Sequence, residues 1–310
     1  MKHSLGPPRT VSVHTSFRTS RVRKTAGTTW LARADHPDEV PLAGENGLRT
    51  CAFDCQADLF LACGFDDGFV EVDVDKMKRG EAFRLPSESY CTADLHGGFW
   101  VFVPPAGLYY LSPSGQHTKV TDVDMEIVGP VQLRCWQEAP PILTVEAPCR
   151  LWGKMGSDVF HTLCFYRVQR PVWRRRSLRK LGKWSVHAGE GRLETWVYIP
   201  RLKRFLVKLD DRFCLGSAAD LVSGRGLFFT VSGIDEICYR ATVIPDSSKV
   251  FFVGARGNLY LLDVARRGLE AVHFGTAAVT QIVCNSSGSS IHAVLDRIGL
   301  AMFYLEEGNC

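Results

Sequence analysis

The clearest chemical signal in this sequence is a run of basic residues in the middle of the chain. Residues 150–184 hold ten Lys or Arg against a single acidic residue, Asp158. Guanidinium and ammonium groups bind carboxylates and phosphates, so the run predicts contact with an acidic protein partner or a phosphate. The candidate binding residues are Arg170, Trp173, Arg174, Arg175, Arg176, Arg179, Lys180, Lys183 and Trp184.

The same run has a pattern of large apolar residues that suits a helix. At about 100° per residue, Trp173, Leu178, Leu181 and Trp184 fall within an arc of about 140°. We therefore expect a short amphipathic helix within a basic insert at about residues 167–190. Two alternatives remain open: the tryptophans anchor a merely solvated basic face, or the arginines contact RNA. Attachment to a membrane surface is disfavoured because the segment is short.

Residues that could carry catalysis are not arranged in a recognisable motif. The sequence has no phosphate-binding loop, dinucleotide fingerprint, nucleophile elbow or paired zinc histidines. The adjacent carboxylates at 66–67 and 210–211 sit in turn-like sequences, where Asp bonds its own backbone. We therefore predict a protein that is not an enzyme, with no cofactor, no metal site and no small-molecule substrate.

The surrounding elements are short β-type runs separated by turn residues. Sets of such runs cover residues 48–84, 237–274 and 280–305. Strands of five to seven residues that recur in sets of four, about 40 residues per set, are typical of propeller blades. The pattern predicts an all-β protein.

Two of these copies carry a family resemblance. FDCQADLFLACGFDDGFVEV and VIPDSSKVFFVGARGNLYLLDV follow the register of a WD repeat, with Asp263 at the Asp of the signature dipeptide and Leu262 in place of its Trp. Asp73 and Val74 occupy the signature positions of the earlier copy. The chain thus resembles the WD-repeat β-propeller family, which implies a propeller; the chain length favours seven blades, and six also fit.

The last copy stops after its third strand, and a ring of blades must avoid an open edge. We therefore expect an N-terminal strand to complete the C-terminal blade. Residues 29–33 and 40–43 precede the first clear copy and are strand-like. The predicted organisation is a flexible basic tail at 1–28 and a single propeller domain at 29–310.

The resemblance implies a non-enzymatic scaffold that binds other protein subunits of an intracellular complex. An RNA- or ribonucleoprotein-binding subunit that uses the basic segments is the alternative. Eleven scattered cysteines without a C-x-x-C pair predict a reducing compartment, cytoplasmic or nuclear. The acid-free basic N-terminus also has the composition of a mitochondrial import signal. No apolar run is long enough to predict a membrane span.

Overall fold

The structure is a computed structural model that describes most of the chain. The described residues are 9–10, 20–25, 28–33, 39–43, 48–54, 59–64, 68–73, 76–83, 89–113, 116–123, 125–129, 131–150, 158–172, 175–189, 191–273, 279–284, 290–295 and 299–304. Within these residues the chain forms 28 strands, one short α-helix and one 3-10 turn. It divides into two compact units, residues 13–185 and residues 1–12 with 186–310.

The unit at 13–185 contains four of the sheets. In three of them, strands that follow one another in the chain lie side by side, as antiparallel meanders: β2–β4, β5–β8 and β9–β12. The fourth has the order β13-β15-β16-β17, and β14 also pairs with β15. The strands are β2 (Ser20–Thr25), β3 (Thr28–Arg33), β4 (Glu39–Ala43), β5 (Leu48–Asp54), β6 (Leu59–Gly64), β7 (Gly68–Asp73), β8 (Lys78–Phe83), β9 (Tyr90–Ala93), β10 (Phe99–Val103), β11 (Gly107–Leu111), β12 (His117–Thr121), β13 (Glu126–Ile127), β14 (Gln132–Trp136), β15 (Ile142–Arg150), β16 (Val159–Val172) and β17 (Arg175–His187).

The other unit contains three sheets. Two are meanders, β18–β21 and β22–β25, and the third has the order β1-β28-β27-β26. The elements are β1 (Arg9–Thr10), β18 (Leu193–Ile199), the 3-10 turn Pro200–Leu202, β19 (Arg204–Leu209), β20 (Arg212–Gly216), α1 (Ala218–Val222), β21 (Leu227–Phe229), β22 (Cys238–Val243), β23 (Lys249–Gly254), β24 (Leu259–Asp263), β25 (Gly268–His273), β26 (Val279–Cys284), β27 (Ser290–Leu295) and β28 (Gly299–Tyr304).

The N-terminal strand of the C-terminal sheet differs from the one expected. β1 pairs with β28 through Arg9 opposite Met302 and Thr10 opposite Ala301. Residues 29–33 and 40–43, the expected candidates, instead lie in the separate sheet β2–β4. β1 and β2 both fall within residues 1–28, so the assignment of a flexible tail does not hold for these two strands.

The core of the 13–185 unit lies between neighbouring sheets. Every residue of β10 is buried, and successive side chains of a strand point to opposite faces. Trp100 and Phe102 pack with Leu143, Val145, Cys164 and Tyr166 of the fourth sheet. Phe99 and Val101 pack on the other face with Leu61 and Phe69 of the sheet β5–β8. Because burying each large side chain contributes about 2–3 kcal/mol, these stacked faces hold the three sheets together.

The two copies that resemble WD repeats share one turn geometry. Asp73 and Asp263 each end the third strand of a sheet, and each carboxylate accepts the backbone N–H of the residue three positions on, Lys76 at 2.9 Å and Arg266 at 3.1 Å. The next residues, Met77 and Arg267, have φ of 49° and 53°. Asp73 is therefore equivalent to Asp263, one position away from the predicted register, in which Asp73 took the place of the signature Trp. In both sheets the aspartate caps the turn to the fourth strand.

Candidate interaction surface

The basic insert is a strand hairpin, so the expected helix is wrong. Residues 175–187 form β17, which lies beside β16 at the end of the fourth sheet. Arg176 and Leu178, two positions apart, both find partners on the interior side of the hairpin. In a helix these positions would point in nearly opposite directions, whereas alternate residues of a strand share one face. The partners of Arg176 and Leu178 therefore favour an extended chain.

Arg176 is an anchor rather than a free binding group. Its Nη2 lies 3.0 Å from Oδ2 of Asp94, and the two side chains are 9% and 0% exposed. Nη2 also donates to the carbonyl oxygen of His96 at 3.3 Å. The guanidinium carbon lies 5.4 Å from the ring centroid of Tyr110. This predicted binding residue is thus occupied by the neighbouring sheet β9–β12.

A tight turn holds Asp94 in position to contact Arg176. The N–H of Asp94 donates to the carbonyl of Gly98 at 2.9 Å. Gly98 has φ +83°, and a Cβ there would lie 2.5 Å from the carbonyl oxygen of Leu111. Burial raises the pKa of Asp94, and the positive charge of Arg176 opposes part of that rise. The charge of Arg176 is the largest influence that lowers this pKa, ahead of those of His96 and Trp100.

Two side-chain contacts define how β17 lies along β16. The Ser177 hydroxyl donates to Oε1 of Gln169 at 2.9 Å, and the hydroxyls of Ser185 and Thr162 are 2.9 Å apart. The strands are therefore antiparallel. Gly182, with φ 147°, lies between these two contacts in β17.

Two lysines of β17 lie near the buried thiol of Cys164. Burial raises the pKa of this thiol to about 11, and the charges of Lys180 and Lys183 both oppose that rise. Lys180 also shares the strand face of Leu178, two residues earlier. Arg179 projects to the opposite face with Ser177. Arg179, Lys180 and Lys183 are exposed, and we call these three residues the basic strip.

The remaining predicted residues contribute less to this surface. Trp184 is half-buried in β17. Arg170 and Arg175 lie in β16 and β17, where the structure describes only the backbone, and Trp173 and Arg174 lie outside the described residues. The structure thus places three of the nine predicted residues in exposed positions on one edge strand. Cationic side chains on an edge strand also discourage pairing with other chains, which is the structural alternative to a binding role.

Two buried carboxylates in the other unit, Glu236 and Glu194, are held by several hydrogen bonds. Glu236 accepts hydrogen bonds from the backbone N–H of Arg256 at 2.6 Å, from Nδ2 of Asn258 at 2.7 Å and from the Tyr260 hydroxyl at 2.5 Å. Glu194 accepts the N–H of Cys238 at 2.7 Å and lies 3.3 Å from Nζ of Lys208. Burial raises the pKa of Glu194, and these partners oppose the rise.

Neither group was predicted from the sequence. Each joins residues that are far apart in the chain, so no local spacing could have indicated them. The carboxylates of Glu236 and Glu194 are each hydrogen-bonded to the groups around them, as buried polar groups usually are.

The described residues show neither a metal-binding cluster nor a membrane-spanning helix. Across the described ranges, no group of three or more His, Cys, Asp or Glu is placed to hold a metal ion. In the same part of the chain, no helix is long and apolar enough to cross a membrane.

Comparison with known proteins gives matches to solved structures but none to family models or curated proteins. No family model matches the chain, and no curated protein matches it. Solved structures do match, and 939 chains among them are significantly similar. A fold shared so widely does not by itself select a function.

Three of the similar structures span most of this chain. BBS1N, solved in complex with ARL6DN, has a TM-score of 0.58 at 12% identity over 90% of this chain and 84% of that chain. The computationally designed Ika8 protein has 0.56 at 9% identity over 91% and 82%. The WD40 β-propeller domain of Doa1 has 0.53 at 12% identity over 91% and 87%. Together with the antiparallel sheets, these likenesses confirm the predicted fold class: the chain is an all-β protein with the β-propeller fold.

Proposed function

We propose that this protein is a non-enzymatic β-propeller scaffold that binds an acidic protein partner along the basic strip of β17. The observation that carries the proposal is that one strand holds both a buried cation and exposed cations. Arg176 is buried against Asp94, and Arg179, Lys180 and Lys183 are exposed beside it. The anchor fixes the strand, so a partner that pairs with the strip orders little further chain on binding.

An acidic protein is favoured over RNA by the number and setting of the exposed cations. Affinity for nucleic acid rises with the number of phosphates neutralised and is helped by aromatic faces on which bases stack. Among the described residues of β17, three cations are exposed and the one tryptophan, Trp184, is half-buried. Such a surface suits a few carboxylates better than a continuous phosphate backbone.

The proposed architecture is one ring in which the seven sheets are seven blades. The pairing of β1 with β28 supports closure by the N-terminal strand. An intracellular location is supported by the free thiols of six described cysteines. These are Cys91, Cys135, Cys149, Cys164, Cys214 and Cys238.

The test is charge reversal of the strip in the full chain, with Arg179, Lys180 and Lys183 all changed to Glu. The matched control changes Lys78, Arg79 and Arg240 to Glu, because these are also exposed and alter the net charge equally. Proteins that co-purify with the wild type are identified by mass spectrometry, and the most enriched acidic one is purified for direct binding. Loss of three exposed ion pairs at about 0.5 kcal/mol each predicts an affinity at least about tenfold weaker for the strip variant.

The control should bind as the wild type does. Equal binding by the strip variant, at physiological salt, contradicts the proposal. Binding that is abolished by ribonuclease, with an affinity that falls log-linearly over a wide salt range, points to the RNA-binding alternative instead.

A further inference from the structure

Ser177 lies in an arrangement that suits enzymatic phosphorylation. Arg174 and Arg175 precede it by three and two residues, and Leu178 follows it. Protein kinases with carboxylates in the substrate groove select serines preceded by arginine, since each guanidinium pairs with a carboxylate. Nowhere else in the sequence does Arg-Arg precede Ser or Thr at this spacing.

The structure places the Ser177 hydroxyl at an accessible position. Ser177 is partly exposed, and its hydroxyl donates to the side chain of Gln169, which is itself exposed. β17 ends the described sheet, so lifting its first residues breaks hydrogen bonds to one neighbouring strand, β16, together with the contact of Arg176 with Asp94. Ser185, in the same strand, differs in both respects. It contacts Thr162 inside the hairpin and has no Arg-Arg before it.

We propose that Ser177 is a phosphorylation site for an arginine-directed protein kinase, and that phosphorylation weakens the binding of the acidic partner. The second half rests on the proposed function. In the reaction, Oγ of Ser177 bonds to the γ-phosphorus of ATP, and the bond from that phosphorus to the ADP oxygen breaks. The hydroxyl proton passes to the catalytic carboxylate of the kinase.

The consequence for the basic strip follows from strand geometry. Ser177 and Arg179 are two residues apart on the same face of β17, so the phosphate can pair with the Arg179 guanidinium. A phosphoserine carries about −1.5 to −2 charges at neutral pH. It offsets about two of the three positive charges of the strip, so about two of the three ion pairs are lost and the predicted loss of affinity for an acidic partner is about fivefold.

The experiment incubates the folded full chain with an arginine-directed kinase and ATP, and maps phosphate by mass spectrometry. The substrates are the wild type, Ser177→Ala, the matched control Ser185→Ala and heat-denatured wild type. We expect about one phosphate at Ser177 in the folded wild type and in Ser185→Ala, and none at that position in Ser177→Ala. Phosphate at Ser177 only in the denatured chain, or none at all, overturns the proposal.

A second measurement tests the effect on binding and separates this proposal from the proposed function. Phosphorylated and unmodified chains are compared for affinity to a synthetic polyglutamate peptide, with the strip reversal variant alongside. Weaker binding of the phosphorylated chain supports regulation of the strip, and unchanged binding overturns it. If unmodified wild type and strip variant bind the peptide equally, the proposed function fails while the mapped phosphate at Ser177 stands.

Discussion

The buried ion pair between Arg176 and Asp94 gives the sharpest test of how the hairpin is held. We predict that Arg176→Met destabilises the protein by about 3 kcal/mol at neutral pH. Removing one member of a buried pair costs about 3–5 kcal/mol because the other charge is left without a partner. The lower end applies here, since Arg176 retains 9% exposure and methionine preserves much of the apolar stem.

The pH dependence of this loss identifies its cause. Burial already raises the pKa of Asp94 above its ordinary value of 3.8, and Arg176 limits the rise. Without Arg176 the pKa of Asp94 rises further. A carboxyl whose pKa is higher in the folded state favours folding when protonated, and that advantage is lost as pH rises through the folded pKa. Arg176→Met should therefore cost less near pH 4.5 than at pH 7.5.

Urea unfolding at the two pH values measures both effects. Asp94→Asn should cost less than Arg176→Met, because a neutral amide is left in the buried position and the arginine keeps some access to water. The matched control is Arg179→Met, an exposed position three residues along the same strand, which should change stability by less than about 0.5 kcal/mol. The reasoning is refuted if Arg176→Met resembles this control, or if its cost is larger at pH 4.5.

Two further predictions concern backbone conformation and the buried Glu236. Lys203 is exposed with φ 51°, so Lys203→Gly should stabilise the protein by about 0.5 kcal/mol in urea unfolding, and Asp246→Gly (φ 56°) less, because Asp tolerates this region. Burial acts to raise the pKa of Glu236, but hydrogen bonds from Tyr260 and its other donors outweigh it and lower the pKa. Glu236→Gln should cost about 2 kcal/mol at pH 7, and the difference from wild type should shrink as pH falls below 4.5, where protonation removes the same interactions.

The strands that could be predicted from sequence are those whose pattern is local. In the copy at 243–264, apolar runs bounded by turn residues correctly predicted strands at Lys249–Gly254 and Leu259–Asp263. The turn before them contains Asp246 at positive φ, a conformation that Asp accepts readily. Alternation and turn chemistry are properties of neighbouring residues, so they can be read from a single sequence.

The hairpin β16–β17 could not be predicted in this way. Its interior face includes a charged residue, Arg176, whose bonding partner His96 lies 80 residues earlier in the chain. The large apolar residues of this strand also lack a period of two; they are Leu178, Leu181, Trp184 and Val186. The spacing of the Trp and Leu residues between 173 and 184 also fits a helical arc, and the helix prediction was wrong for that reason.

The same distant contact divides the predicted binding residues into two groups that composition alone does not distinguish. Four of the nine predicted residues are basic side chains that the structure describes in β17, and they divide into one anchor and three exposed groups. Had all four been solvated, the strip would be a loosely held charge run, which binds weakly because its side chains must be ordered by the partner. Arg176 instead commits its charge to Asp94 and fixes the backbone from which Arg179, Lys180 and Lys183 project. A phosphate on Ser177 then lies on the face of Arg179, whose backbone this anchor holds in place, so a local change of charge can alter the affinity of the strip without unfolding the sheet.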